Sequence, residues 1–133
     1  MLKINKIHHI IVATLLCFSF NAKAQQRYAQ YDAYVEQYKD LAIEQMREHK
    51  IPASITLAQG LLESGAGKSM LAVRANNHFG IKCHTDWEGG RIYKDDDNRN
   101  DCFRVYKNVR QSYEDHSNFL KKSRYSRLYT YDI

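Results

Sequence analysis

A chain of 133 residues, 44% of them hydrophobic and carrying a net charge of +5, is long enough for one small domain and too short for several. The charge is concentrated at the start: Lys3, Lys6 and Lys23 fall within residues 1–24, and without them 17 basic residues face 15 acidic ones. A remaining charge of +2 removes most of the support for a nucleic-acid partner, while still suiting an anionic wall or membrane surface.

Residues 1–24 have the layout of a secretory signal. Lys3 and Lys6 form a basic start, Ile10 to Phe20 an apolar run, and Ala22-Lys23-Ala24 a small-x-small cleavage site before Gln25. The run is too short to span a bilayer as a helix, and bulky Leu16 before Cys17 weakens a lipoprotein reading. Cleavage leaves about 109 residues, with no stable membrane insertion expected and a periplasmic or extracellular location. Cys17 leaves with the signal. Cys83 and Cys102 then form an even pair in an oxidising compartment, and a bridge is favoured over two free thiols.

Tyr31, Tyr34, Val35, Tyr38, Leu41, Ala42 and Met46 recur at three- and four-residue spacing, which predicts an amphipathic helix from about 28 to 49. Pro52 suits the first turn of a second helix. This helix carries Ile55, Ala58, Leu61 and Leu62 to an end near Ser64-Gly65, and its few charges predict burial on most sides. A short third helix is expected over 68–75. Gly80–Cys83, Gly90–Lys94 and Cys102–Tyr106 read as three short strands of a small antiparallel meander. From Ser112, the residues Tyr113, His116, Phe119 and Leu120 mark a further helix, with Ser112-Tyr-Glu-Asp115 as a capping box. The plan is α+β, mainly helical with a small β-lobe.

Within Ala58-Gln-Gly-Leu-Leu-Glu-Ser-Gly-Ala-Gly-Lys-Ser69 the glycines and the glutamate point to different chemistries. A phosphate-binding loop requires a glycine five positions before its Gly-Lys, where Leu62 stands, and it follows a strand rather than a helix. The glycines are therefore read as a helix stop and turn. Glu63 sits in the last turn of an apolar helix, where the helix dipole and apolar neighbours both penalise a charged carboxylate. That is the setting of a general acid, although an acid at such a place is more often a surface group.

Glycosidic cleavage commonly uses two carboxylates. The densest second source is Asp95-Asp96-Asp97, with Asp101 near and Glu88 further off. The run lacks the calcium-loop pattern of glycine at position six and glutamate at position twelve. Among His49, His78, His84 and His116 no HExxH occurs and Cys83-His84 lacks a C-x-x-C partner, so no metal or other cofactor is expected. A Cys–His nucleophile closes if the cysteines are bridged. Phe79, Trp87, Tyr93 and Tyr106 are sugar-stacking candidates that are individually more often core. Trp87 stands apart, in a polar Asp-Trp-Glu-Gly-Gly turn where an exposed aromatic needs a reason.

Taken in order, Ala58–Ser69, Asn76-Asn-His-Phe-Gly-Ile-Lys82, Trp87-Glu-Gly89, Phe103-Arg-Val-Tyr106 and Ser112-Tyr-Glu-Asp-His116 resemble the glucosaminidase-type peptidoglycan hydrolases (glycoside hydrolase family 73), which include flagellar rod-assembly hydrolases and autolysins. The resemblance runs from about Tyr34 to Tyr131. It implies a lysozyme-like fold and cleavage of the N-acetylglucosamine-β-1,4-N-acetylmuramic acid bond in peptidoglycan glycan strands. Glu63 falls on the family's catalytic acid, and the second carboxylate falls on the β-lobe run, with Asp96 or Asp95 preferred over Asp97. Asn77, Phe79, Trp87 and Tyr106 are the implied substrate contacts. Family members continue past Arg124–Tyr129 into another helix and a tyrosine-bearing segment, so residues 25–133 are expected to form a domain truncated at its C-terminus. Two other readings stand beside this one: a lytic transglycosylase or muramidase on the same fold, and a non-catalytic wall-binding module.

Overall fold

A computed structural model describes residues 2–122 and 125, with side chains from Gln25 onward except Arg27. The expected cleavage site, and Arg124, Tyr129 and Tyr131 of the resemblance, lie outside these described side chains. The backbone divides into two compact units, residues 1–33 and 34–133.

Helix α1 runs from Leu2 to His49. It starts well before the predicted residue 28 because nothing interrupts it: the chain's one proline is Pro52 and its first glycine is Gly60. Among the described residues no helix is long and apolar enough to cross a membrane. Lys50, at φ 59°, ends α1. Pro52 then stands just ahead of α2, Ala53–Glu63, where its carbonyl accepts from the Ile55 and Thr56 amides.

Ser64 to Ser69 form the turn that the glycines were expected to make. Gly65, Ala66 and Gly67 all have positive φ, and Ala66 N–H closes onto Leu61 O at 2.8 Å. Ser69 caps α3, Met70–Ala75, by accepting from Ala72 N–H, and Asn76 in the left-handed region ends it. Helix α4, Val109–Leu120, begins three residues before the predicted Ser112. Its box is Asn108, which accepts from Gln111 N–H, with Gln111 Oε1 reaching back to Lys107 N–H at 2.9 Å. Ser112 is fully buried and takes the His78 amide instead.

The lobe has two strands rather than three. Strand β1, Gly90–Lys94, pairs antiparallel with β2, Asp101–Val105, in the register Gly90↔Val105 to Lys94↔Asp101. Gly80–Cys83 contributes a single bridge, Lys82↔Phe103, held by Cys83 N–H to Cys102 O and Arg104 N–H to Ile81 O. The Cys83–Cys102 disulfide is formed beside it. The loop it closes, 19 residues in separation, corresponds to about 3 kcal/mol on the chain-entropy model. The bridge also removes Cys83 as a nucleophile.

Ala42, Phe79, Ile81 and Tyr113 form the core, flanked by Tyr38, Leu41, Leu57 and Val109. In the second unit, the predicted apolar face of α1 supplies Tyr34 and Ala42 to the interior, while Val35 is 39% exposed. The stretch therefore buries a stripe narrower than the sequence pattern suggested.

Candidate active site

Helix α2 meets the interior edge-on. Thr56, Gly60 and Ser64 are buried, whereas Ile55, Ala58, Gln59, Leu62 and Glu63 are exposed, Leu62 to 70%. The burial on most sides expected from composition is absent, because the fully buried stripe is made of small residues, Leu57 only flanks the core, and Ile55 and Leu62 face out. The apolar enclosure expected around Glu63 is absent as well. Glu63 is exposed and lines a cleft of about 360 Å³, shared with Gln59, Phe79, Lys82, Asp97 and His116.

The small inward stripe has a reason. A Cβ on Gly60 would come within 2.6 Å of Tyr34 Oη, 3.2 Å of Tyr113 Oη and 3.3 Å of Phe79. The helix that ends in Glu63 therefore rests directly on tyrosine hydroxyls. Tyr34 Oη lies 2.9 Å from His78 Nδ1 and 3.0 Å from Tyr113 Oη. Ser64, next to Glu63, accepts from Gly67 N–H at 2.7 Å. Burial holds the His78 imidazole neutral, lowering its pKa to about 4, and raises both phenols above their usual value. The result is an uncharged, hydrogen-bonded floor under the helix end.

The surroundings of Lys82 are electrostatic. Lys82 Nζ is held by Asp97 at 2.6 Å, Asp101 at 2.9 Å and Asp96 at 3.1 Å, and these hydrogen bonds, Asp97's first, raise its pKa. The three carboxylates that geometry groups as possible cation ligands thus converge on an ammonium group already present. Within the Asp95–Asp97 run the roles diverge. Asp95 accepts from Asn100 N–H at 2.7 Å and shapes the hairpin loop. Asp96 pairs with Lys82. Asp97, 82% exposed in its side chain, lines the cleft with Glu63. Of the run, Asp97 lines the cleft, while the preferred Asp96 and Asp95 are engaged at Lys82 and in the hairpin loop.

The expected substrate contacts divide in the same way. Asn77 is 1% exposed, and its amide is spent on Ile81 N–H, Ile81 O and Arg104 O, so it locks the turn that leads to Lys82 rather than facing a ligand. Tyr106 is buried and donates to Asp115. Trp87 is half-buried: Arg104 lies 4.7 Å from its ring centre, Tyr106 packs at its edge, and its Nε1–H donates to Gly90 O. It is not among the residues lining the cleft, and the polar turn around it is explained by this clamp. Phe79 does line the cleft.

Sequence reasoning passed over Gln59, Lys82 and His116. For Gln59 a signal existed, since it precedes Glu63 by four residues and so shares its helix face. His116 is 5% exposed, stacks on Phe79 with ring centres 3.9 Å apart, and is held neutral by burial, its pKa lowered to about 4. Its Nε2 lies 2.9 Å from Gln59 Oε1.

The chain matches the glucosaminidase family model, described as mannosyl-glycoprotein endo-beta-N-acetylglucosaminidase, over residues 39–132. Among solved structures, the glycoside hydrolase domain of FlgJ from Salmonella typhimurium is similar with a TM-score of 0.65 at 24% identity, over 76% of this chain and 67% of that one. The peptidoglycan hydrolase from Sphingomonas sp. A1 gives 0.60 at 28% identity, over 68% of this chain and 62% of that one. The catalytic domain of the autolysin Auto from Listeria monocytogenes gives 0.59 at 24% identity, over 69% and 56%. The chain thus spans roughly three-fifths of the length of the latter two. No curated protein sequence matches it significantly. The lysozyme-like α+β plan is the one shared with these structures.

Proposed function

Because the chain belongs to the glucosaminidase family, we propose that it is an exported peptidoglycan hydrolase, an endo-β-N-acetylglucosaminidase that cleaves the N-acetylglucosamine-β-1,4-N-acetylmuramic acid bond with Glu63 as general acid. One observation carries this reading. Glu63 ends a helix packed on a buried, hydrogen-bonded polar floor and lines the same open cleft as a second carboxylate held at a lysine. A glycan strand lying in the cleft would displace water from Glu63 and supply the desolvation that the free chain lacks. Glu63 then gives its proton to the glycosidic oxygen as the bond from that oxygen to the anomeric carbon breaks. A water adds to the anomeric carbon and loses its proton to a base. Asp97 is the member of the aspartate run best placed to be that base. Assistance from the substrate's own N-acetyl group would relax this demand and leave Asp97 to orient it. Residues 1–24 serve as the export signal, and the disulfide accords with a wall-facing compartment.

Mass spectrometry of digested cell wall tests the bond. New reducing ends on N-acetylglucosamine are the expected product. Anhydromuramic ends would replace this reading with a lytic transglycosylase, and wall binding without any released fragment would replace it with a binding module.

A further inference from the structure

Resting on that assignment of the cleft, we propose that Gln59 is a substrate-positioning residue whose carboxamide, oriented by His116, donates to the acetamido carbonyl oxygen of the sugar bound beside Glu63. Gln59 and Glu63 stand four residues apart on the exposed face of α2 and line the same cleft. An amide oxygen can only accept, so the 2.9 Å contact requires His116 to carry its hydrogen on Nε2. This fixes the Gln59 amide with its oxygen toward His116 and its two N–H donors turned away. Among the described residues those donors have no protein partner.

With the hydrogen on Nε2, His116 Nδ1 is a bare acceptor, and it is buried with no partner among the described residues. Pinning an exposed glutamine side chain forfeits up to about 2 kcal/mol of rotamer freedom. One neutral hydrogen bond returns only about 1 kcal/mol. The stacking on Phe79 keeps the imidazole in place regardless. An oriented donor pair beside an apolar wall of Phe79, Ile81 and Leu120 matches a group that presents a carbonyl oxygen and a methyl together, which is the acetamido group. A free amino sugar would bring donors and positive charge to the same place.

The test measures binding of an N-acetylglucosamine tetramer and of its de-N-acetylated counterpart to the full chain carrying Glu63→Gln, with and without Gln59→Glu. The second substitution preserves size and the contact to His116 but removes the donors. The expected preference for the acetylated oligomer is roughly tenfold or more, falling to about one or inverting with Gln59→Glu, while the melting temperature stays within a few degrees. Gln59→Ala should likewise abolish the preference, and it serves if the charged variant is unstable. A preference unchanged by both substitutions overturns the proposal, as does a parent chain that binds both oligomers equally or neither. Because the readout is binding, a chain that fails to release wall fragments would refute the hydrolase reading without deciding for or against Gln59.

Discussion

The supports behind two cleft residues, Glu63 and Lys82, are built on opposite principles. Under Glu63, polar atoms are buried, neutral and hydrogen-bonded to one another: Tyr34, His78 and Tyr113 are at most 2% exposed. Around Lys82, by contrast, Asp96, Asp97 and Asp101 gather at the surface, within reach of salt and water. The floor sets the position of the helix end that carries Glu63 to the accuracy of packing. The lobe sets a charge pattern at the surface, beside the Cys83–Cys102 disulfide. Damage to the floor should therefore appear as lost stability, and damage to the loop as lost rate.

The largest expected effect is on the loop side. Asp97→Ala should lower the rate of peptidoglycan lysis by about 10²- to 10⁴-fold if Asp97 is the base, with little change in melting temperature. Azide, a nucleophile that needs no base, should restore turnover to it. Asp95→Ala and Asp96→Ala serve as comparisons, and wild-type rates from all three variants would reduce the run to a solvated turn and move attention to Asp101 and Glu88.

On the floor side, pH is the probe. His78 and His116 titrate near 4 when folded and near 6.5 when unfolded. The unfolded chain therefore binds more protons between those values, and stability is lost as pH falls through this window. Unfolding free energy measured by denaturant should drop from pH 7 to pH 5 by roughly 2 kcal/mol per histidine. A flat profile would mean that the floor is wetter than its packing indicates.

Reducing the Cys83–Cys102 bridge should cost about 3 kcal/mol, read as a lower melting temperature. Alkylation of the denatured, unreduced protein should find no free thiol at either position. Gly60→Ala, a single added methyl, should cost about 1–3 kcal/mol by forcing α2 off the tyrosine hydroxyls. An unchanged melting temperature there would show that the floor gives way easily, and the contrast between the two supports would lose its basis.

The helical framework and the lobe were legible in the sequence because periodicity and turn residues act locally. The Tyr34–Tyr38–Ala42 stripe, Pro52 before α2, and the glycine turn after Glu63 all stand where local rules put them. What failed needed tertiary knowledge. Ile55 and Leu62 read as buried because they are apolar, but the helix packs through Gly60 and Thr56. Gly80–Cys83 has strand composition, yet Asn77 pulls its start into a turn and leaves one bridge. Ser112 looked like a cap and is a buried acceptor, while Asn108 caps. In the candidate site, the position of Glu63 at a helix end was legible. Which aspartate shares its cleft was not, since three adjacent residues in a loop diverge only through contacts with Asn100 and Lys82. Asn77 and Tyr106 are polar or aromatic residues in motif blocks, and they turn out to hold those blocks together.

The most direct measurement is the lysis rate of purified peptidoglycan by the chain carrying Glu63→Gln beside the unmodified chain. The account predicts that the unmodified chain lyses the wall and that the variant loses activity by at least about 10²-fold, while its melting temperature and its sedimentation with the wall are retained. A folded, wall-bound variant that lyses at the unmodified rate would contradict it.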